Sequence, residues 1–220
     1  MKLVCWLGIS LILFSSPCLA GGKDKYKAAE TLWEHNQFYD AAVLYGDAID
    51  SKELSVDELT TSHYNIATFF LLNFSPADTI KAVNEVLKLN PNHVGAYSLR
   101  ANASDMMGND KQALADWTRL LEMNPNDATV YNDRSYFYSS RGKLDKAIAD
   151  MEMYLRLKPD SQEQLEALKE LKTKRNMQKV DEQMTKNPIH ERGVAAALNL
   201  SFHILKKCRF FINIEFDASV

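Results

Sequence analysis

The chain has 220 residues, of which 46% are hydrophobic and 25% charged, and its formal net charge is −3. This length suffices for one or two ordinary domains, and the composition is that of a folded chain. The small negative charge gives no basis for binding nucleic acid or an acidic membrane surface.

The first segment reads as a leader rather than as part of the fold. Lys2 precedes an apolar run from Leu3 to Phe14 broken only by Ser10. Ser15-Ser16-Pro17 ends the run, and Cys18-Leu19-Ala20 offers small residues for a signal peptidase. The expectation is a secretory signal, residues 1–20, cleaved after Ala20. The run is shorter than the roughly 20 residues that span a bilayer. Membrane attachment would follow only if the signal stayed uncleaved. Loss of residues 1–20 removes Cys5 and Cys18 and leaves Cys208 alone, so the mature chain has no internal disulfide. The expected location is outside the cytoplasm: the periplasm in a Gram-negative bacterium, the exterior otherwise.

Beyond the leader the chain repeats itself. Pro91, Pro125 and Pro159 are 34 residues apart (125 − 91 and 159 − 125). Ala41, Thr79, Ala113 and Ala147 follow at spacings of 38, 34 and 34. A period in this range marks stacked supersecondary units. Each unit reads as two helices. In the clearest, Tyr97 and Ala101 lie on a first helix, Gly108-Asn109 turns the chain, and Ala113, Leu114, Trp117 and Leu120 lie on a second that Pro125 stops. Small residues allow the two helices to approach, and large ones fill the space beside them. The unit ending at Pro91 has Phe74 and Thr79 where its neighbours have glycine and alanine, and is expected to pack less regularly. The first junction carries four extra residues within 51–60, where Ser55 and Glu58 read as a capping box.

Small, aromatic, Gly and Pro residues in this register make residues 22–160 resemble the tetratricopeptide repeat (TPR) family, most specifically from Val94 to Pro159. The resemblance implies an all-α fold, a right-handed superhelical solenoid of about four helical hairpins. The units are 22–59, 60–93, 94–127 and 128–160, together a TPR domain over 21–160. Residues 161–186 read as a capping helix, started by Ser161 and Gln164 and carrying an apolar stripe of Leu165, Leu168 and Leu171. Residues 187–220 do not fit the repeat. Val194, Ala197, Leu198, Ser201, Phe202 and Leu205 share a helical face, and Arg209 to Phe216 alternates like a strand.

No catalytic motif is present: no phosphate-binding glycine loop, no His-Glu-x-x-His, no Cys-x-x-Cys and no Gly-x-Ser-x-Gly. The five histidines lack ligand spacing, so no metal and no cofactor is expected. The Asn and Asp residues around Pro91 and Pro125 read as turn formers. Arg100 with Asp116, and Arg134 with Asp150, recur in two units and read as ion pairs within hairpins rather than as ligand-binding arginines.

In the family the first helices line a concave groove that binds peptides or helices of other proteins. The resemblance and the helical phase assign that groove Tyr26, Glu30 and Trp33, then Tyr64, Asn65, Thr68 and Leu72. They add Ser98, Asn102 and Asp105, and finally Asn132, Asp133 and Tyr136. The family variant that clamps a C-terminal carboxylate needs Lys and Arg in the groove. Only Asn65 agrees with it here. The sequence therefore predicts a noncatalytic scaffold binding a partner protein in its groove. The alternative is a self-associating structural protein that uses its apolar C-terminal tail.

Overall fold

A computed structural model describes residues 21–186, so the expected leader and tail lie outside the described residues. Every element among them is an α-helix: α1 Gly22–Glu34, α2 Phe38–Asp50, α3 Val56–Leu72, α4 Pro76–Leu89, α5 Val94–Met106, α6 Asp110–Met123, α7 Ala128–Ser140, α8 Leu144–Leu157 and α9 Gln162–Lys186. This is the repeated-hairpin architecture of an all-α solenoid. The described residues divide into two compact units after Arg134, with the division falling inside α7.

In the first unit α1 pairs with α2, α3 with α4, and α5 with α6, while α2 packs on α3 and α4 on α5. The crossings are built from residues too small to hold the backbones apart. Ala29 and Ala41, Ala67 and Thr79, Ala101 and Ala113 are all fully buried. Thr79 fits because its hydroxyl turns back to donate to the Ser75 carbonyl at 2.9 Å. Beside these sit larger fillers in the same phase, Tyr45, Val83 and Trp117. The Tyr45 hydroxyl accepts from Asn65 Nδ2 at 2.8 Å, which joins the first hairpin to the second.

The turns within hairpins share one geometry. Asn36, Phe74, Gly108 and Gly142 have φ of 60°, 54°, 71° and 69°, the left-handed conformation. At each, two backbone bonds close the preceding helix. Around Gly108, its own N–H donates to the Asp105 carbonyl and that of Asn109 to the Ser104 carbonyl; around Phe74, the N–H groups of Phe74 and Ser75 reach Leu71 and Phe70. This is a Schellman closure. The α3–α4 turn is therefore closed by the same bonds as its neighbours, although Phe74 stands where the next two turns have glycine. Its hydrogen bonds hold a phenylalanine where glycine is preferred, and the ring is left 82% exposed.

The four extra residues of the first junction are absorbed as helix. α3 has 17 residues and α5 has 13, a difference of four, close to one α-helical turn. The side chains beyond the insertion thus keep their facing. The expected capping box is present at the start of α3: Glu58 N–H donates to Ser55 Oγ at 3.3 Å, and Ser55 N–H to Glu58 Oε2 at 2.7 Å.

Junctions between hairpins also repeat. Asn90 Oδ1 accepts from Asn92 N–H and Asn124 Oδ1 from Asn126 N–H, which are side-chain turns around each proline. The Pro91 carbonyl accepts from the Tyr97 hydroxyl at 2.9 Å and the Pro125 carbonyl from Tyr131 at 3.1 Å.

In the second unit Leu144, Ala147, Ile148 and Met151 of α8 form a core with Leu168 and Leu171 of α9. Ser135 Oγ of α7 donates to the Ala147 carbonyl of α8 at 2.8 Å, so α7 and α8 nearly touch there. Past Leu171 the side chains of α9 are almost all exposed, apart from the partly covered Arg175. The salt bridge from Lys172 to Glu152, at 2.8 Å, holds the helix along α8.

Candidate functional site

The residues assigned to the groove fall into two groups, those spent on internal packing and those left at the surface. Tyr26 belongs to the first. It is only 8% exposed, and its hydroxyl donates to Glu30 Oε1 at 2.7 Å. Burial first, then the Glu30 carboxylate, pushes the phenol far above its ordinary range. Its ring lies 5.9 Å from that of Tyr45. Trp33 is half-buried, with its ring edge-on to Phe38 at 4.8 Å and to Tyr45 at 6.3 Å. These contacts, with Asn65 on the Tyr45 hydroxyl, make one aromatic cluster that fastens the first hairpin.

Tyr64 is also half-buried. Its ring lies 4.8 Å from that of His93 and covers the backbone at Gly95. His93 Nδ1 in turn accepts from Ala96 N–H and caps α5. Tyr64 therefore links α3 to the start of α5, and no side chain other than glycine's leaves room for it.

The second group is more open. Leu72 is 58% exposed, and Glu30, Thr68, Ser98, Asn102 and Asp105 are half-buried. Glu30, Thr68 and Asn102 each follow a fully buried alanine (Ala29, Ala67, Ala101) at the repeat spacing. The register thus sets a polar row across α1, α3 and α5, one residue away from the core. Tyr136, in the second unit, follows the buried Ser135 in the same way and is 49% exposed.

Asn132 and Asp133 differ from both groups. Asn132 Oδ1 is buried without a hydrogen-bond donor among the described residues. Burial raises the Asp133 carboxyl above its ordinary range; the Asn132 side chain pulls it down, and Asp127 adds to the rise. No cation among the described residues offsets it.

Arg100 meets Asp116 bidentately, Nε to Oδ2 at 2.9 Å and Nη2 to Oδ1 at 2.8 Å. Gln112 Nε2 adds a third bond to the same carboxylate, and Arg100 Nη1 reaches Asn84 Oδ1. Asp116 is 2% exposed, so this is a structural ion pair rather than a waiting ligand group. The cavity of about 500 Å³ lined by Lys81, Asn84, Glu85, Leu87, Lys88 and Arg100 contains none of the groove residues. Among the described residues no group of His, Cys, Asp and Glu could hold a metal ion, and no helix is long and apolar enough to cross a membrane.

Sequence reasoning passed over two features. The Tyr45 hydroxyl is the anchor of Asn65. Met177, Val180 and Met184 form an exposed apolar stripe on α9, at spacings of three and four.

Residues 117–149 match the family model of the tetratricopeptide repeat, from α6 into α8. None of the curated proteins matches the chain. Among solved structures, MamA from Desulfovibrio magneticus RS-1 is 19% identical, covers 78% of this chain and 96% of its own, and superposes with a TM-score of 0.62. YrrB, a TPR protein with an unusual peptide-binding site, is 18% identical over 67% of this chain and 74% of its own, with a TM-score of 0.60. A thermophilic TPR protein of Thermus thermophilus is 21% identical over 69% and 81%, with a TM-score of 0.51. At these identities the likeness shows the fold.

Proposed function

We propose that this chain is a noncatalytic scaffold that holds a peptide or helical segment of a partner protein against the first helices of its hairpins, outside the cytoplasm. The observation that carries the reading is the polar row Glu30, Thr68 and Asn102, kept half-open beside fully buried alanines on three successive first helices. Leu72, Ser98 and Asp105 extend that surface. Amide and hydroxyl groups there can both donate to and accept from a peptide backbone. The peptide-binding site of YrrB, a protein of the same fold, supports the assignment. Export rests on the leader-like residues 1–20. Tyr26, Trp33 and Tyr64 take part by holding the helices that present the surface, and Asn65 by anchoring Tyr45.

The test is crosslinked capture from the native compartment, using the unmutated chain beside a Leu72→Ser/Asn102→Ala variant. Both sites are partly exposed, so helicity by circular dichroism should be unchanged. A partner retained by the unmutated chain and lost by the variant is the expected result. Equal capture by both would refute the surface. Recovery of a chain beginning at Gly21 would support export. A chain retaining residues 1–20 would refute cleavage of the leader.

Self-association is the second reading. The exposed stripe Met177, Val180 and Met184 favours it, because an apolar helix face of this kind suits a neighbouring helix.

A further inference from the structure

Asp116 and Asp133 set the same problem, a carboxylate taken partly out of water, and meet it in opposite ways. Asp116 receives a bidentate arginine and a glutamine. Asp133 receives no ion pair among the described residues, only the neighbouring Asn132 side chain. Asn132 itself keeps a buried Oδ1 with no donor. Buried acceptors without donors are rare because their lost hydration is not returned.

The repeat register sharpens the contrast. One and two periods before Asp133 stand Leu99 and Asn65 (133 − 99 = 34 and 99 − 65 = 34). Leu99 packs against the core of the second hairpin, and Asn65 donates to Tyr45. At both earlier positions the chain itself satisfies the side chain. At Asp133 it leaves a carboxylate and an amide oxygen side by side, both needing N–H donors and one needing positive charge.

We propose that Asn132 and Asp133 form a subsite for a cationic N–H donor, the guanidinium or ammonium of an Arg or Lys in the partner segment. The proposal rests on the reading of the first-helix face as the partner surface and specifies what that partner presents. A guanidinium suits the Asp133 carboxylate well, because its planar fork can give it two parallel N–H groups, while the Asn132 side chain holds that carboxylate in place. A partner's C-terminal carboxylate would meet charge repulsion instead. One carboxylate and one amide oxygen are too few ligands for a hard metal ion.

The test is an NMR titration of the full isotope-labelled chain with three probes, acetyl-Ala-Ala-Xaa-Ala-Ala-amide with Xaa as Arg, Lys or Gln. The Arg or Lys peptide should bind about tenfold more tightly than the Gln peptide, as a charge-assisted hydrogen bond implies. It should move the Asn132 side-chain amide and lower the titration midpoint of the Asp133 carboxyl. Asp133→Asn should erase the preference while the chain stays folded, since it removes an uncompensated charge. Equal binding of all three probes along α1, α3 and α5 would overturn the cation subsite and leave the partner surface standing. A preference that survives Asp133→Asn would also overturn the subsite. No response to any probe would overturn both.

Discussion

Gly95→Ala tests the contact that joins the second hairpin to the third. Glycine in a helix ordinarily costs about 0.5–1 kcal/mol relative to alanine, so propensity alone predicts a gain. Here the added Cβ would lie 2.7, 2.8 and 2.9 Å from the hydroxyl, Cε2 and Cζ of Tyr64. The ring must withdraw by most of an ångström, yet its other neighbour is His93, which caps α5. Overpacking of this kind costs roughly 1–3 kcal/mol. The net expectation is a loss of about 1 kcal/mol, which is about 2–4 °C in a chain of this size. In a Tyr64→Ala background the obstacle is gone, and the same Gly95→Ala change should become stabilising. Urea unfolding of the four members of this cycle measures the coupling directly. A Gly95→Ala variant that is stabilised in both backgrounds would refute the packing of Tyr64 on the backbone.

Three further outcomes follow from individual sites. Gly46 lies inside α2, and a Cβ there would meet nothing within 4 Å; Gly46→Ala should add about 0.5–1 kcal/mol in the same unfolding assay. Arg100→Met strands the buried Asp116 and should cost roughly 3 kcal/mol, whereas Arg100→Met/Asp116→Leu should recover most of it, because the lone charge rather than the missing pair is what destabilises. The Asp133 carboxyl is raised in the folded chain, mainly by burial, so between its ordinary and raised values the native state holds more protons than the unfolded one. Stability should therefore fall as pH rises through that window, and Asp133→Asn should flatten the profile measured by denaturation at successive pH values.

The repeat was legible before any fold was known. Prolines every 34 residues, small residues in phase and turn glycines specify helices, turns and pairings through local chemistry that needs no distant partner. The crossing alanines Ala41, Ala101, Ala113 and Ala147 could be read for this reason, as could the capping box at Ser55. Helical phase also indicated which side of a first helix faces away from its own hairpin. It could not indicate how deeply a neighbour covers that side. Tyr26, Trp33 and Tyr64 were read as groove residues, but they are drawn into packing by Tyr45, Phe38, His93 and the bare backbone at Gly95, contacts that span up to 31 positions of sequence (95 − 64). Likewise the sequence shows four extra residues at the first junction without showing where they go; in the fold they lengthen α3 by about one turn, which keeps the downstream faces aligned. That Asp116 is neutralised while Asp133 is not emerges only in the folded chain, since desolvation and ion pairing depend on which atoms of other helices arrive within hydrogen-bond reach.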